Sequence, residues 1–405
     1  MKKLFAVVVG CWLGLVARGG MVNDPTVAEE CRVRAGLPNV RAKLEAGTRV
    51  NVAYLGGSIT AAGNGWRSQT LNWLRGRFPK ADIHEINAAI SGTGSDYGAI
   101  RLPGDVLKDK PDLLFVEFRV NGSAGFDCPS VEGILRQTWS ANPETDICLI
   151  YTIGEWMVGE IRAGRHSSFC TAMETIANHY GVPSIDLGPE VVKRLDAGSL
   201  VFRSAESVPG KLVFSRDGVH PGTEGHAIYC EVIARSLEKM FKTGTGAGAH
   251  VTPSALKPNP WEKSVLVPPE KFLPLDTWKP VDEATDPVFR SDLGRTKAML
   301  RGGRWTDQEG ASFSIAWTGT TIGLSDIPQD EAMFIEASVD GGAPISFKRL
   351  RTKEPRLHAR FYYLPEQPFG SHVVTFTVKK IPTGQRFFCG QALVVGSLNL
   401  PSPKN

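Results

Sequence analysis

Asp217 and His220 stand three positions apart in Asp217-Gly218-Val219-His220-Pro221. A histidine that takes a proton from a nucleophile needs a carboxylate to fix its tautomer and to stabilise the imidazolium. One loop carrying both groups supplies most of a hydrolytic triad from a single piece of backbone. A plainer reading exists. Asp-Gly is an ordinary turn pair, and proline often opens a helix. The two readings part on whether a serine and an oxyanion site accompany the loop.

Three other loops offer those groups. Ser58, in Gly56-Gly57-Ser58-Ile59-Thr60, follows the apolar run 51–56 and opens a helix. A helix start presents N–H donors and positive dipole to an oxyanion; its competing role is a simple cap. Gly92, in Ile90-Ser91-Gly92-Thr93-Gly94-Ser95, follows the run 83–90. It can aim a main-chain N–H at a bound oxygen, or serve only as a turn. Asn121, in Val120-Asn121-Gly122, follows the run 112–118. Its amide can donate to an oxyanion, worth roughly 3–4 kcal/mol in comparable sites, or make an Asn-Gly turn. Trp66 and Arg67 come after the serine loop and are candidates to line an acceptor site, against a reading as helix-start packing.

The elements that position these residues follow from periodicity. Helical spacing marks 66–78, 95–107, 130–140, 167–180 and 223–241; short apolar runs mark strands at 51–56, 83–90, 112–118, 146–152 and 183–187. Such alternation calls for a parallel five-stranded sheet with helices on both faces. Ligands in these folds sit at the carboxyl ends of the strands, and Ser58, Gly92, Asn121 and the Asp217–His220 loop all come after strands. Residues 244–263 are rich in Gly, Thr and Pro and read as a linker. From 264 to 400 the pattern changes to short strands with turns between them, Asp340-Gly341-Gly342 being a hairpin signal. That stretch reads as an all-β, jelly-roll-like sandwich.

In this order, Gly57-Ser58-Ile59-Thr60, Ser91-Gly92-Thr93-Gly94-Ser95, Val120-Asn121-Gly122 and Asp217-Gly218-Val219-His220-Pro221 resemble the SGNH/GDSL hydrolase family across about 48–242. The resemblance implies a flavodoxin-like three-layer α/β/α domain. It implies Ser58 as nucleophile, His220 as base and Asp217 as its orienter. The oxyanion hole would be the N–H groups of Ser58 and Gly92 with the Asn121 amide. Two positions depart from the common pattern: Gly57 stands where an aspartate is usual, and Gly122 where an aspartate often follows the asparagine. The second departure is expected to loosen the loop that aims Asn121.

Other residues carry less. His226 lies on the face of the helix after the loop and reads as structural, while His84, His166 and His179 have no spacing signal. Glu117 and Arg119 read as a structural ion pair, because a glycosidase pair needs a second carboxylate. The run 91–95 lacks the P-loop lysine and the Rossmann spacing. No zinc-ligand spacing is present, so neither metal nor cofactor is expected.

The 405 residues suggest two domains or one large one, and a formal net charge of +4 with no basic block predicts no nucleic-acid partner. Lys2 and Lys3 precede an apolar run to Ala17, and small residues allow cleavage after Gly19, as in a signal peptide. Val8-Val9-Gly10-Cys11 also has the form of a lipobox, so a lipid anchor at Cys11 is the alternative. The expected organisation is a signal peptide over 1–19, an extension over 20–46, a catalytic domain over 47–243, a linker over 244–263 and a sandwich over 264–400. Six further cysteines are widely spaced; their pairing and the oligomeric state are not specified by sequence.

A signal peptide and an appended β-sandwich resemble secreted carbohydrate esterases. The expected function is an exported serine esterase removing O-acetyl groups from an acetylated glycan. Two alternatives stand beside it. One is a short-chain esterase, lipase or thioesterase on another substrate. The other is a glycan-binding protein with an inactive hydrolase domain.

Overall fold

The computed structural model describes residues 23–122, 127–243, 246–274, 276–290, 294–329, 331–351 and 358–399. The expected signal peptide and Cys11 lie outside them. Among the described residues no helix is long and apolar enough to cross a membrane.

The first half alternates strand and helix. Its strands are β1 (Cys31–Arg32), β2 (Arg49–Gly56), β3 (Asp82–Ala89), β4 (Leu113–Glu117), β5 (Asp146–Tyr151), β6 (Ser184–Asp186), β7 (Leu200–Arg203) and β8 (Leu212–Ser215). Its helices are α1 (Pro38–Ala46), α2 (Ser58–Ala61), α3 (Trp66–Arg77), α4 (Ser95–Asp105), α5 (Asp127–Ala141), α6 (Val158–Arg162), α7 (Ser168–Tyr180), α8 (Gly188–Asp196) and α9 (Thr223–Lys242). The main sheet runs β1-β6-β5-β4-β2-β3. Strands β2 to β6 are parallel, in the flavodoxin-like order, with Gly56 opposite both Ala89 and Glu117. The expected five-stranded parallel sheet thus gains a sixth strand: β1 pairs antiparallel with β6. Its anchor is polar. Arg32 is buried and reaches Glu174 at 2.9 Å, which hydrophobic periodicity does not register.

Helices cover both faces. Apolar residues of α4, α5 and α7 (Ile100, Ile134, Met173) pack on one side of the sheet. Those of α1, α3, α8 and α9 (Leu44, Leu74, Val191, Val232) pack on the other. The strands β4 and β5 are buried at every position, as a sheet covered on both faces requires. Strands β7 and β8 form a small separate pair, and β8 runs directly into Asp217.

The second half is antiparallel. It comprises β9 (Ser264–Val267), β10 (Lys279–Pro280), β11 (Arg304–Thr306), β12 (Ser312–Asp326), β13 (Met333–Val339), β14 (Ile345–Arg349), β15 (Arg360–Tyr363), β16 (Gly370–Lys380) and β17 (Phe387–Leu398). Short strands were expected throughout this half, but Ser312–Asp326 is one long strand, β12. The Gly319/Thr321 irregularity in its pairing with β17 has the composition of a turn. Phe313, Ile315, Ile335, Phe376 and Val394 enclose this half's own core.

The segment between the halves lies against the α/β layer. The His250 ring stacks on Trp139 at 4.9 Å and its Nε2 lies 2.8 Å from Asp146. Trp261 is buried on α5, where a Cβ on Gly133 would come within 2.6 Å of it. Phe361 of β15 stacks on Tyr97 of α4 at 5.0 Å. The six described cysteines are thiols. Cys148 and Cys170 are fully enclosed, and burial pushes both thiols up.

Candidate active site

The loop from β8 to α9 is built around the Asp217 carboxylate. Its Oδ1 accepts the Val219 and His220 amides, each at 2.8 Å, and the Ser215 hydroxyl at 3.0 Å. Its Oδ2 faces His220 Nδ1 at 2.7 Å. Burial pushes this carboxyl up, but those hydrogen bonds, led by the His220 ring, outweigh it and hold the group well below the usual carboxylate range. An ionised carboxylate only accepts, so Nδ1 carries the ring proton. Nε2 is then the free acceptor, and it lies 2.8 Å from Ser58 Oγ. The order nucleophile, base, orienter is complete in geometry. Gly218 has φ +84° and packs so closely that a Cβ would meet Glu155 Oε2 at 2.7 Å.

Ser58 begins α2, a single turn closed by the Ala61 N–H on the Gly57 carbonyl at 3.0 Å. So short a helix offers individual N–H donors rather than a large dipole. From below, the turn is gripped by Glu117 at the end of β4. Glu117 is fully buried. Its Oε2 accepts the Thr60 hydroxyl at 2.8 Å, its Oε1 accepts the Thr152 hydroxyl at 2.7 Å, and the Gly57 N–H bonds it too. Burial pushes the carboxyl up against those hydrogen bonds.

Asn121 closes the 3-10 turn Arg119–Asn121 after β4. A Cβ on Gly57 would lie 2.2 Å from Asn121 Oδ1 and 3.5 Å from its Nδ2. The side chain therefore rests its oxygen on Gly57 and leaves its NH₂ free of that contact. With the Asn121 side chain in this position, a Cβ at 57 would force its oxygen to shift. The second departure also has a steric cause: a Cβ on Gly122 would fall 1.9 Å from the Phe169 ring. The expected loosening is countered by Arg119. Its guanidinium is buried, donates to the Thr152 carbonyl and pairs with Asp186 at 2.8 Å; His166 meets the same carboxylate at 2.9 Å. Burial pushes Asp186 up, and Arg119 then pulls it below its ordinary value. The expected Glu117–Arg119 ion pair is accordingly two separate anchors. The two side chains bond different partners across the sheet.

Gly92 lies exposed in the loop after β3 with φ +72° and open space where a Cβ would be. Its need for glycine is conformational, not steric. The Thr93 hydroxyl fixes the loop on the Ile90 carbonyl at 2.8 Å. Ser58, Gly92 and Asn121 thus end adjacent parallel strands at one edge of the sheet.

Trp66 and Arg67 do not line an acceptor site. Trp66 is wholly enclosed and packs edge-on to Tyr54 and Phe115. Arg67 is 5% exposed, pairs with Glu85 and donates to the Thr60 carbonyl at 3.0 Å. The apolar face of α3 draws both inward, so their effect on Ser58 is indirect. His226 is structural as expected: its Nδ1 accepts the Trp66 N–H at 3.1 Å, and burial, then the neighbouring His220, push it down to about 4.

Sequence reasoning missed the turn after β5. Glu155 donates its N–H to the Gly218 carbonyl at 2.9 Å and pairs with Arg203 at 3.2 Å. Trp156 beside it is 59% exposed. The strand-end rule that found Ser58 and Asn121 also points here, since residues 154–157 follow a parallel strand directly.

Residues 54–228 match the model of the GDSL-like Lipase/Acylhydrolase family. A two-domain esterase (CEX) active on acetylated mannans, co-crystallised with mannopentaose, is similar over 93% of this chain and 98% of its own, at 20% identity and TM-score 0.73. A second structure of a two-domain esterase (CEX) active on acetylated mannans gives 92% and 98%, 21% identity and TM-score 0.72. An acetylxylan esterase from Geobacillus stearothermophilus covers 46% of this chain and 94% of its own at 18% identity, TM-score 0.35. No curated protein matches the chain by sequence. The two-domain likeness shows a shared fold across both halves. The family match spans the serine turn, the Gly92 and Asn121 loops and the histidine loop, so the likeness to GDSL-like lipases and acylhydrolases falls on the α/β half of this chain.

Proposed function

We propose that this protein is a serine esterase that removes O-acetyl groups from a polysaccharide or its oligosaccharides. The observation that carries the reading is the Ser58–His220–Asp217 relay on an open face, where the His220 and Asp217 side chains are 50% and 55% exposed. An ester on a bulky, hydrated polymer can reach such a serine. A long acyl chain gains most from an enclosed apolar site. The two-domain esterase that matches both halves is active on acetylated mannans, which supports acetylated mannan as the first substrate to test. The charged and then apolar N-terminus supports export to where polysaccharide is met.

In this reading His220 Nε2 takes the Ser58 proton as Oγ attacks the acetyl carbonyl. The oxyanion falls among the N–H groups of Ser58 and Gly92 and the Asn121 amide. His220 then protonates the departing sugar oxygen. It next takes a proton from water, which cleaves the acetyl-serine and releases acetate. Asp217 keeps its charge throughout and holds the imidazole in register.

The test is acetate release from acetylated mannans and xylans, with nitrophenyl esters of increasing chain length alongside. The expected result is acetate from at least one glycan and a preference for acetyl esters. A preference for long acyl chains, with no acetate from any glycan, contradicts the proposal.

A further inference from the structure

We infer that Trp156 is an aromatic platform for a pyranose ring of the glycan, a sugar subsite beside the catalytic loop. The inference rests on the glycan reading above.

Single exposed apolar side chains are common on protein surfaces and need no role. Trp156 differs in how it is held. A Cβ on Gly154 would lie 2.5 to 2.8 Å from three indole atoms, Cη2, Cζ3 and Cζ2. The indole therefore lies across the bare backbone of Gly154, and 59% of the residue still faces solvent. One face of the ring is braced and much of the rest is open. Ordering a loose tryptophan on binding costs rotamer entropy; a ring already laid on its support has spent most of it.

The turn that carries the ring is tied to the catalytic machinery. Glu155 N–H bonds the Gly218 carbonyl at 2.9 Å, and Gly218 lies between Asp217 and His220. The Glu155–Arg203 pair packs on Gly218 from the same side, its side chains 43% and 56% exposed. An open aromatic face on a turn that also carries an exposed carboxylate, paired with a guanidinium, suits a sugar. Ring C–H groups pack on the indole, and hydroxyls bond to the charged pair. The same features give little to a small acyclic acetate ester such as triacetin, which has no ring to lay on the indole.

The test compares wild type, Trp156→Ala and Trp156→Phe on an acetylated manno-oligosaccharide and on triacetin, an acyclic acetate ester. In Trp156→Ala we expect KM for the oligosaccharide to rise roughly five- to tenfold with kcat within about twofold. Kinetics on triacetin should stay within about twofold, and Trp156→Phe should recover most of the oligosaccharide KM. An unchanged oligosaccharide KM in Trp156→Ala overturns the platform alone. Equal loss on both substrates also overturns it, because the residue would then act through the catalytic loop. Wild type that hydrolyses triacetin but releases no acetate from the oligosaccharide overturns the glycan reading, and the platform with it.

Discussion

Asp217 spends both carboxylate oxygens: one closes its own turn and the other fixes the His220 ring. Asp217→Asn keeps the size but removes the charge that sets the tautomer. We expect kcat to fall about 10³- to 10⁴-fold with little loss of stability, as steady-state kinetics beside thermal unfolding will show. Gly57 is a different kind of requirement. Gly57→Ala puts a methyl where Asn121 Oδ1 now rests. It should cost about a hundredfold in kcat, the scale of one lost oxyanion donor. If the two residues act as one unit, the double variant with Asn121→Ala will be no worse than Asn121→Ala alone; additive losses would separate them. These residues were legible in the sequence, Gly57 because it sits where a strand ends and Asp217 because it stands three positions before a histidine. The physical reason for glycine at 57 was not, since it lies in contact with a residue 64 positions away.

At the scale of the element, two turns are held from beneath by buried charges. Glu117 grips the α2 turn, and Arg119 with Asp186 grips the turn of Asn121. Their partners lie across the sheet, at separations of 57, 35 and 67 residues. Local pattern cannot announce such pairing, and the sequence suggested instead that the two neighbours pair with each other. Arg119→Met leaves the buried Asp186 with His166 and the Gly188 N–H but without its guanidinium. We expect a loss of about 3–5 kcal/mol in urea unfolding.

Helix α9 supplies a pH-dependent element. His226, near its start, accepts the Trp66 N–H only when neutral, and its folded pKa of about 4 lies below the ordinary 6.5. The unfolded chain therefore takes up the proton first as pH falls. This stabilisation is whole above about pH 6.5 and declines between 6.5 and about 4, where the folded ring also protonates. The shift corresponds to about 3 kcal/mol. His226→Gln should flatten the fall in stability between pH 7 and pH 4 in unfolding curves; an unchanged slope would show that another group controls it. The longer helices α3, α4, α5, α7 and α9 were read from 3.6-residue periodicity, whereas α6, α8, β7, β8 and the two-residue β1 were missed. They are too short or too polar to show a period.

At the scale of the whole molecule, the two halves share a seam. Ile134 and Leu135 of α5 belong to one continuous apolar cluster with Trp261, Leu300, Phe388 and Leu393. Gln137 donates to the Trp261 carbonyl at 2.8 Å, and Arg136 pairs with Glu262 at 2.6 Å. Composition marked 244–263 as a linker because a Gly-rich run is followed by a Pro-rich one. Yet His250 and Trp261 are spent on contacts with the α/β layer. Such a seam predicts that both halves unfold together, in one calorimetric transition. Trp261→Ala should lower that transition by roughly 3–5 kcal/mol. Two separate transitions in the wild type would contradict a shared core.

The central claim is acyl transfer from a glycan to Ser58. Its most direct measurement is the initial rate of acetate release from acetylated mannan by wild type and Ser58→Ala, side by side, with folding checked by the unfolding transition. We expect release by wild type and a loss of at least roughly a thousandfold in the variant. Equal rates in the two proteins would contradict the mechanism.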